Sequence, residues 1–166
     1  MTEKLNTIIR ASEQRAKGFV FRHALGDGKS EIAMTMLAPM AGLKRLGVSI
    51  GRVPPGKEAF VYHRHHCEEE WVYILEGRAA SDIDGVKEEV GPGDFLGYPV
   101  GVAHNLENIG QTELVYLMGG EQTSVEIADF PKHGKRLLRA GERIEFIDEK
   151  ACEPFVPDVR PLPQDE

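Results

Sequence analysis

Three histidines and one glutamate lie at patterned intervals between residues 56 and 108. His63 and His65 are two residues apart, so on an extended strand both imidazoles point to the same face. Glu70 follows five residues after His65, and His104 comes about forty residues later. Imidazole nitrogens and a carboxylate are ordinary ligands of divalent cations. The four side chains therefore predict a metal site, provided that the strands carrying them come together in the fold.

If the strands are regular, the side chains that share a face with these four residues are mostly apolar. The residues expected to share their faces are Ala59, Val61, Val72, Ile74, Val102 and Leu106. Phe60, Tyr62 and Arg64 alternate with the first two histidines and are expected to face the other way. Ionisable groups buried among apolar side chains cost free energy unless they are paired. A divalent cation would remove that cost, which favours a metal site over a set of ordinary core histidines.

The composition is that of an ordinary globular protein. At 166 residues the chain is expected to form one domain with extra terminal segments. The net charge of −7 argues against nucleic acid or an anionic membrane surface as the main partner. The longest uncharged stretch, residues 32–43, is too short to span a bilayer, and the first twenty residues lack a signal peptide's apolar run. Cys67 and Cys152 are far apart in sequence, which favours a reducing, cytoplasmic location.

Short candidate strands separated by turn residues follow one another from residue 46 onwards. The predicted strands are 46–53, 58–66, 70–76, 78–83, 86–90, 94–97, 102–108, 112–118 and 123–128. This spacing is typical of an all-β sandwich or barrel. No stretch between residues 46 and 128 has the 3.6-residue period of a long helix, so no substantial helix is expected there. Trp71 and Phe95 are expected in the core.

The segments on either side differ in character from the barrel. Residues 1–45 are expected to form an N-terminal arm of short strands or helix, residues 46–130 the barrel core, and residues 131–166 a C-terminal extension with a proline-rich tail. Within the extension, residues 142–147 are predicted to form one more strand, and the basic residues of 132–139 a solvated face or dimer contact. The extra chain at both ends favours a homodimer, because extended arms often add a strand to a neighbour's sheet edge.

The histidines and the glycines around them resemble the two motifs of the cupin superfamily. The first motif, G-x5-H-x-H-x3–4-E-x6-G, matches from His63 to Gly77, except that six residues rather than five separate Gly56 from His63. The second motif, G-x5-P-x-G-x2-H-x3-N, matches completely; its positions are Gly93, Pro99, Gly101, His104 and Asn108. The resemblance implies a double-stranded β-helix, or jelly roll, in which the three histidines and Glu70 hold one metal ion.

Within the superfamily, the chain most resembles small single-domain bacterial cupins, some of which are assigned as sugar-phosphate isomerases. It implies a metal-dependent isomerase or epimerase acting on a small sugar-like or sugar-phosphate substrate. Two alternatives stay open: a non-catalytic module that binds or senses a small molecule, and an iron-dependent dioxygenase. Four protein ligands would leave about two positions of an octahedral metal for substrate oxygens or water. This ligand set does not choose between zinc, manganese, iron, nickel and cobalt.

Other residues near the motifs are candidates for binding and proton transfer. Tyr98 lies at a turn of the second motif that could bring it to the barrel mouth, so it is predicted to contact the substrate, and Tyr73 is a second candidate acid or base. Arg52, Lys57 and Arg64 are the candidate contacts for a substrate phosphate.

Overall fold

The computed structural model describes residues 7–157, and β-strands make up most of its regular structure. The strands are β1 (Phe19–Phe21), β2 (Ile32–Met36), β3 (Leu46–Val53), β4 (Arg64–His65), β5 (Glu70–Glu76), β6 (Ala79–Ile83), β7 (Val86–Val90), β8 (Phe95–Tyr98), β9 (His104–Asn108), β10 (Leu114–Glu121), β11 (Val125–Phe130), β12 (Lys135–Ala140) and β13 (Arg143–Asp148). The helical elements within residues 7–157 are short: α1 (Ala11–Ala16), α2 (Leu37–Met40) and a 3-10 turn at Glu149–Ala151. No helix in this range is long and apolar enough to cross a membrane.

The strands form the two walls of a jelly roll. One wall is a six-stranded sheet in the order β1-β2-β3-β10-β5-β8. The other contains a four-stranded sheet, β13-β12-β11-β4, and a three-stranded sheet, β7-β6-β9. An antiparallel bridge between His63 and His104 joins these two smaller sheets. Neighbouring strands within each sheet pair in antiparallel fashion.

Most of the barrel strands agree with the sequence pattern. The strands predicted at 46–53, 70–76 and 86–90 are confirmed residue for residue. The absence of a helix between residues 46 and 128, all of which the structure describes, is also confirmed. The strand predicted at 142–147 is present, shifted by one residue. These strands were predictable because turn residues delimit each of them.

The continuous strand expected at 58–66 is wrong. Only Arg64–His65 pairs as a strand, and the backbone bends at Ala59, Phe60 and Tyr62. Across a bend, consecutive side chains no longer point to opposite faces, so the two-residue alternation fails. Phe60, expected to face outward, instead lines the cavities beside the candidate site.

The core lies between the two walls, and the six-stranded wall carries apolar side chains on both faces. Tyr116 on β10 and Ile74 on β5 are buried inside. Phe95 is 64% exposed and packs against the indole of Trp71, with ring centroids 6.1 Å apart. The prediction that Phe95 belongs to the core is wrong, because β8 turns Leu96 inward instead.

Asn108, the last residue of the second motif, ties three segments together. Its side chain is fully buried. The Nδ2 group donates to the carbonyl oxygens of Val53 and Thr112, each at 2.8 Å, and Oδ1 accepts from the Gly110 N–H at 2.8 Å. This asparagine therefore joins the end of β3 to the turn that precedes β10.

The basic segment that follows residue 131 contributes a strand to the second wall. Asp129 on β11 lies between Arg64 on β4 and Arg136 on β12. Both guanidinium groups donate to its carboxylate, and the His66 ring contacts it at 2.8 Å. The Arg136 guanidinium in particular holds the pKa of Asp129 well below its usual range. Arg136 therefore neutralises a buried carboxylate rather than standing on a purely solvated face. The end of the predicted proline-rich tail, residues 158–166, lies outside the described residues.

Candidate metal centre

His63 and His104 are direct partners at the junction between the two smaller sheets. The His63 N–H donates to the His104 carbonyl at 3.1 Å, and the His104 N–H donates to the His63 carbonyl at 2.7 Å. Residues paired in this way present their side chains on one face. The turn of the second motif is tied to the first motif as well, because the N–H of Gly101, at φ +87°, donates to the His65 carbonyl at 2.8 Å. Backbone hydrogen bonds thus bring the two motifs together.

Hydrogen bonds to the backbone select the tautomers of two of the imidazoles. The Nδ1 atom of His63 lies 2.7 Å from the Val61 carbonyl oxygen, and that of His104 lies 3.0 Å from the Val102 carbonyl oxygen. A carbonyl oxygen only accepts hydrogen bonds, so each Nδ1 carries the proton. In each neutral ring Nε2 is then the nitrogen left to bind a metal, and both Nε2 atoms face Glu70 Oε2.

Glu70, the first residue of β5, supplies the fourth donor atom. Its Oε2 lies 3.2 Å from His65 Nε2, 3.3 Å from His104 Nε2 and 3.9 Å from His63 Nε2. One donor atom from each of the four residues lies within 4.8 Å of the other three. Nitrogen and oxygen ligands sit about 2.1 Å from a transition metal, so ligands at right angles lie roughly 3 Å apart. The spacing and chemistry of this cluster fit a single divalent cation.

The protonation states of His63 and Glu70 also suit a cation. Burial, together with the nearby His104, lowers the pKa of His63 to about 3. Burial disfavours the Glu70 carboxylate, but its contacts with His104 and His65 outweigh burial and hold the pKa of Glu70 well below its usual range. For His65, burial acts to lower the pKa. The contact with Glu70 and the charge of Glu126 outweigh burial, so the pKa of His65 is raised. A neutral His63 and an ionised Glu70 are in the forms that bind metals.

Two cavities meet at the cluster. His63, Glu70 and Phe60 line both of them. The inner cavity has a volume of about 160 Å³ and extends towards Tyr98 and Tyr116. The outer cavity, about 250 Å³, lies on the side of β11 and β12. The inner cavity is therefore large enough to hold a small ligand next to the cluster.

Of the two predicted tyrosines, the structure brings one to the cluster. Tyr98 is buried and stacks on the His104 imidazole, with ring centroids 3.8 Å apart and planes 5° from parallel. Burial raises the pKa of Tyr98 to about 12, although the nearby Ser81 hydroxyl opposes the rise. The Tyr98 hydroxyl makes no hydrogen bond of good geometry within residues 7–157. Tyr73 lies on the outer face of β5, 40% exposed, and lines neither cavity.

The three predicted phosphate contacts lie away from the cluster. Arg52 lies on the outer face of β3, Lys57 donates to the carbonyl of a neighbouring turn at 2.6 Å, and Arg64 is bound to the β11 carboxylate. None of them lines the inner or the outer cavity. Among the described residues that line these cavities, Arg139 is the one arginine or lysine, and it pairs with the buried Glu68.

Sequence reasoning missed the contribution of β11 to the site. Glu126, Ala128 and Phe130 alternate along this strand, and all three are buried and line the outer cavity. The strand predicted at 123–128 does place Glu126 and Ala128 on one face. The pattern does not say that this face is turned towards the histidines, because the pairing of β11 with β4 joins residues more than sixty positions apart.

Comparison with known proteins points to one family. The model of the Cupin domain matches residues 49–120, which include the whole cluster but not Glu126. A crystal structure from Acidithiobacillus ferrooxidans, of a protein provisionally named a sugar phosphate isomerase, is 31% identical and covers 91% of this chain and 97% of its own, with a TM-score of 0.84. An oxalate-binding protein of Thermotoga maritima is 28% identical over 70% of this chain and 95% of its own. An uncharacterised protein of Methanocaldococcus jannaschii is 42% identical over 39% of this chain, and the match spans 51% of that relative.

Proposed function

Because the chain belongs to the cupin superfamily, we propose that His63, His65, Glu70 and His104 hold one divalent transition metal at which a small, oxygen-rich ligand binds. The observation that carries this proposal is the convergence of three Nε2 atoms and one carboxylate oxygen within 4.8 Å. A divalent metal bound there would act as a Lewis acid towards a carbonyl or hydroxyl oxygen of the ligand. Zinc, manganese, iron, nickel and cobalt are all compatible with this donor set.

We propose further that the protein is an isomerase or epimerase of a small sugar-like substrate. The name of the Acidithiobacillus ferrooxidans protein supports this class of reaction. Isomerisation places negative charge on the substrate oxygen, and a neutral phenol that donates a hydrogen bond stabilises that charge. Tyr98 is suited to this task, since its raised pKa keeps it protonated at neutral pH and its hydroxyl has no partner of good geometry among the described residues.

The size and charge of the cavities favour a sugar-like substrate without a large anionic group. The inner cavity, of about 160 Å³, adjoins the outer one at the cluster and suits a compact ligand. A substrate phosphate in the outer cavity would meet Arg139, which is already paired with Glu68. Arg52, Lys57 and Arg64 line neither cavity, so their predicted role as phosphate contacts has no support from their placement.

The experiment that tests the reaction compares two tyrosine variants. On a panel of small aldoses, ketoses and their phosphates, Tyr98→Phe is expected to lower kcat about 100-fold, because the donor to the substrate oxygen is lost. Metal content should not change, since Tyr98 supplies no donor atom to the cluster. Tyr73→Phe is the matched control, and it should leave turnover as it is because Tyr73 lies on the outer face. Equal turnover of Tyr98→Phe and the parent protein would contradict the role of Tyr98.

A non-catalytic binding function is the second candidate, favoured by the Thermotoga maritima oxalate-binding protein. Oxalate offers two adjacent oxygens to a metal, and it is small enough for a cavity of about 160 Å³. Calorimetric binding of oxalate by metal-loaded protein, with no turnover across the sugar panel, would favour this candidate. Oxygen consumption by the iron-loaded protein with candidate diols would favour the dioxygenase alternative instead.

We also propose that the protein is a homodimer. The outer face of the six-stranded wall leaves Tyr73, Leu75 and Phe95 between 40% and 64% exposed. A second copy would bury this apolar surface, which favours association. Light scattering at micromolar concentration should therefore report twice the mass of the chain. The mass of a single chain under these conditions would contradict the proposal.

A further inference from the structure

His65 differs from the other two histidines of the cluster in what orients it. His63 and His104 each place Nδ1 against the carbonyl two residues earlier in the chain. The carbonyl two residues before His65 is that of His63, and it already accepts the His104 N–H at 2.7 Å. His65 is therefore not held by the hydrogen bond that holds His63 and His104, from Nδ1 to the carbonyl two residues earlier.

The nearest acid to the Nδ1 atom of His65 comes from a distant strand. Glu126 on β11 places Oε1 3.4 Å from this nitrogen, which is buried and makes no hydrogen bond of good geometry within residues 7–157. The same Oε1 accepts the backbone N–H of His66 at 3.1 Å, so the carboxylate is held to the residue that follows His65. Glu126 is 2% exposed, and its second oxygen, Oε2, has no hydrogen-bond partner within residues 7–157. Packing and one backbone bond thus hold a carboxylate against the outer edge of the His65 ring.

We propose that Glu126 is a positioning residue that orients His65 and selects its tautomer. A carboxylate beside Nδ1 favours the proton on that nitrogen, which leaves the Nε2 lone pair facing Glu70 and the other two imidazoles. Through a longer contact of 3.4 Å, Glu126 thus takes the place that the Val61 and Val102 carbonyls have for His63 and His104. The inference rests on the metal-binding part of the proposed function, and Glu126 lies outside the residues matched by the Cupin domain.

The test measures metal affinity rather than turnover. Competition titration of cobalt(II) is expected to show 10- to 100-fold weaker binding by Glu126→Ala than by the parent chain, as for other residues that orient metal ligands. Glu126→Gln should recover most of that loss. The His66 N–H selects the amide oxygen of the new side chain, and that oxygen can still accept from His65 Nδ1.

A matched control separates orientation from charge. Glu68 is also buried near His65, and its charge also raises the pKa of His65. Its carboxylate, however, accepts hydrogen bonds from Thr123 and Arg139. Glu68→Gln is therefore expected to change cobalt affinity less than threefold. A loss in Glu68→Gln as large as that in Glu126→Ala would overturn the positioning role and leave only the effect of charge.

A second variant covers the case in which Glu126→Ala fails to fold. Glu126→Leu fills the same space without an acceptor, so it should show the same loss of affinity and an altered cobalt(II) absorption spectrum. Unchanged affinity and spectrum in a folded Glu126→Leu variant would overturn the inference. Failure of the parent chain to bind cobalt at all would instead refute the proposed function, so the two failures are distinguishable.

Discussion

Replacing His65 and His104 together by alanine is expected to abolish stoichiometric metal binding and to leave the barrel folded. The double variant removes two of the four donor atoms that meet at the cluster. The remaining pair, His63 and Glu70, would be left with a site open to water and too few ligands to compete with it. The backbone bridge between residues 63 and 104 needs no imidazole, so the junction of the smaller sheets should survive. Elemental analysis and circular dichroism measure the two expected results.

The control for this variant removes two histidines that lie outside the cluster. His66 contacts Asp129, and His133 is exposed on the turn between β11 and β12. A His66→Ala/His133→Ala variant should retain the metal content of the parent chain. Unchanged metal in the His65→Ala/His104→Ala variant, or equal loss in both variants, would show that the metal is held elsewhere.

Asn108→Ala is expected to lower the free energy of unfolding by about 3 kcal/mol. Three hydrogen bonds of the fully buried side chain are lost, at roughly 1 kcal/mol each, and two carbonyl oxygens and one N–H are left without this partner. For a chain of this size the melting temperature should fall by roughly 6–12 °C. Urea denaturation of the metal-free protein measures the change without a contribution from metal binding.

An exposed neighbour supplies the control for this second prediction. Gln111 lies on the same turn and is exposed, so Gln111→Ala should change the free energy of unfolding by less than about 0.5 kcal/mol. If Asn108→Ala is as stable as Gln111→Ala, Asn108 does not hold the end of β3 to this turn.

The parts of the structure that could be predicted from sequence are those whose signals are local. Turn residues delimit strands such as 70–76 and 86–90, and both were predicted to the residue. The two motifs place His63, His65, Glu70 and His104 at spacings that come together when the strands pair. Asn108 also belongs to the second motif, although its three-way hydrogen bonding becomes apparent only in the fold.

The features that could not be predicted depend on contacts between distant segments or on a choice between two similar faces. Phe95 and Leu96 are both apolar, so the sequence does not say which of them β8 turns inward. Glu126 approaches His65 only because β11 pairs with β4. The bends at Ala59 and Phe60 place an aromatic side chain beside the cluster where a regular strand would have turned it away.

Anomalous X-ray diffraction from crystals of the metal-loaded protein tests the central claim most directly. Data collected on both sides of the absorption edge of the bound metal locate that element alone. The predicted result is one peak per chain, bounded by the Nε2 atoms of His63, His65 and His104 and by a carboxylate oxygen of Glu70. Protein that carries one metal ion per chain but shows its anomalous peak elsewhere, or protein that takes up no transition metal, would contradict the account.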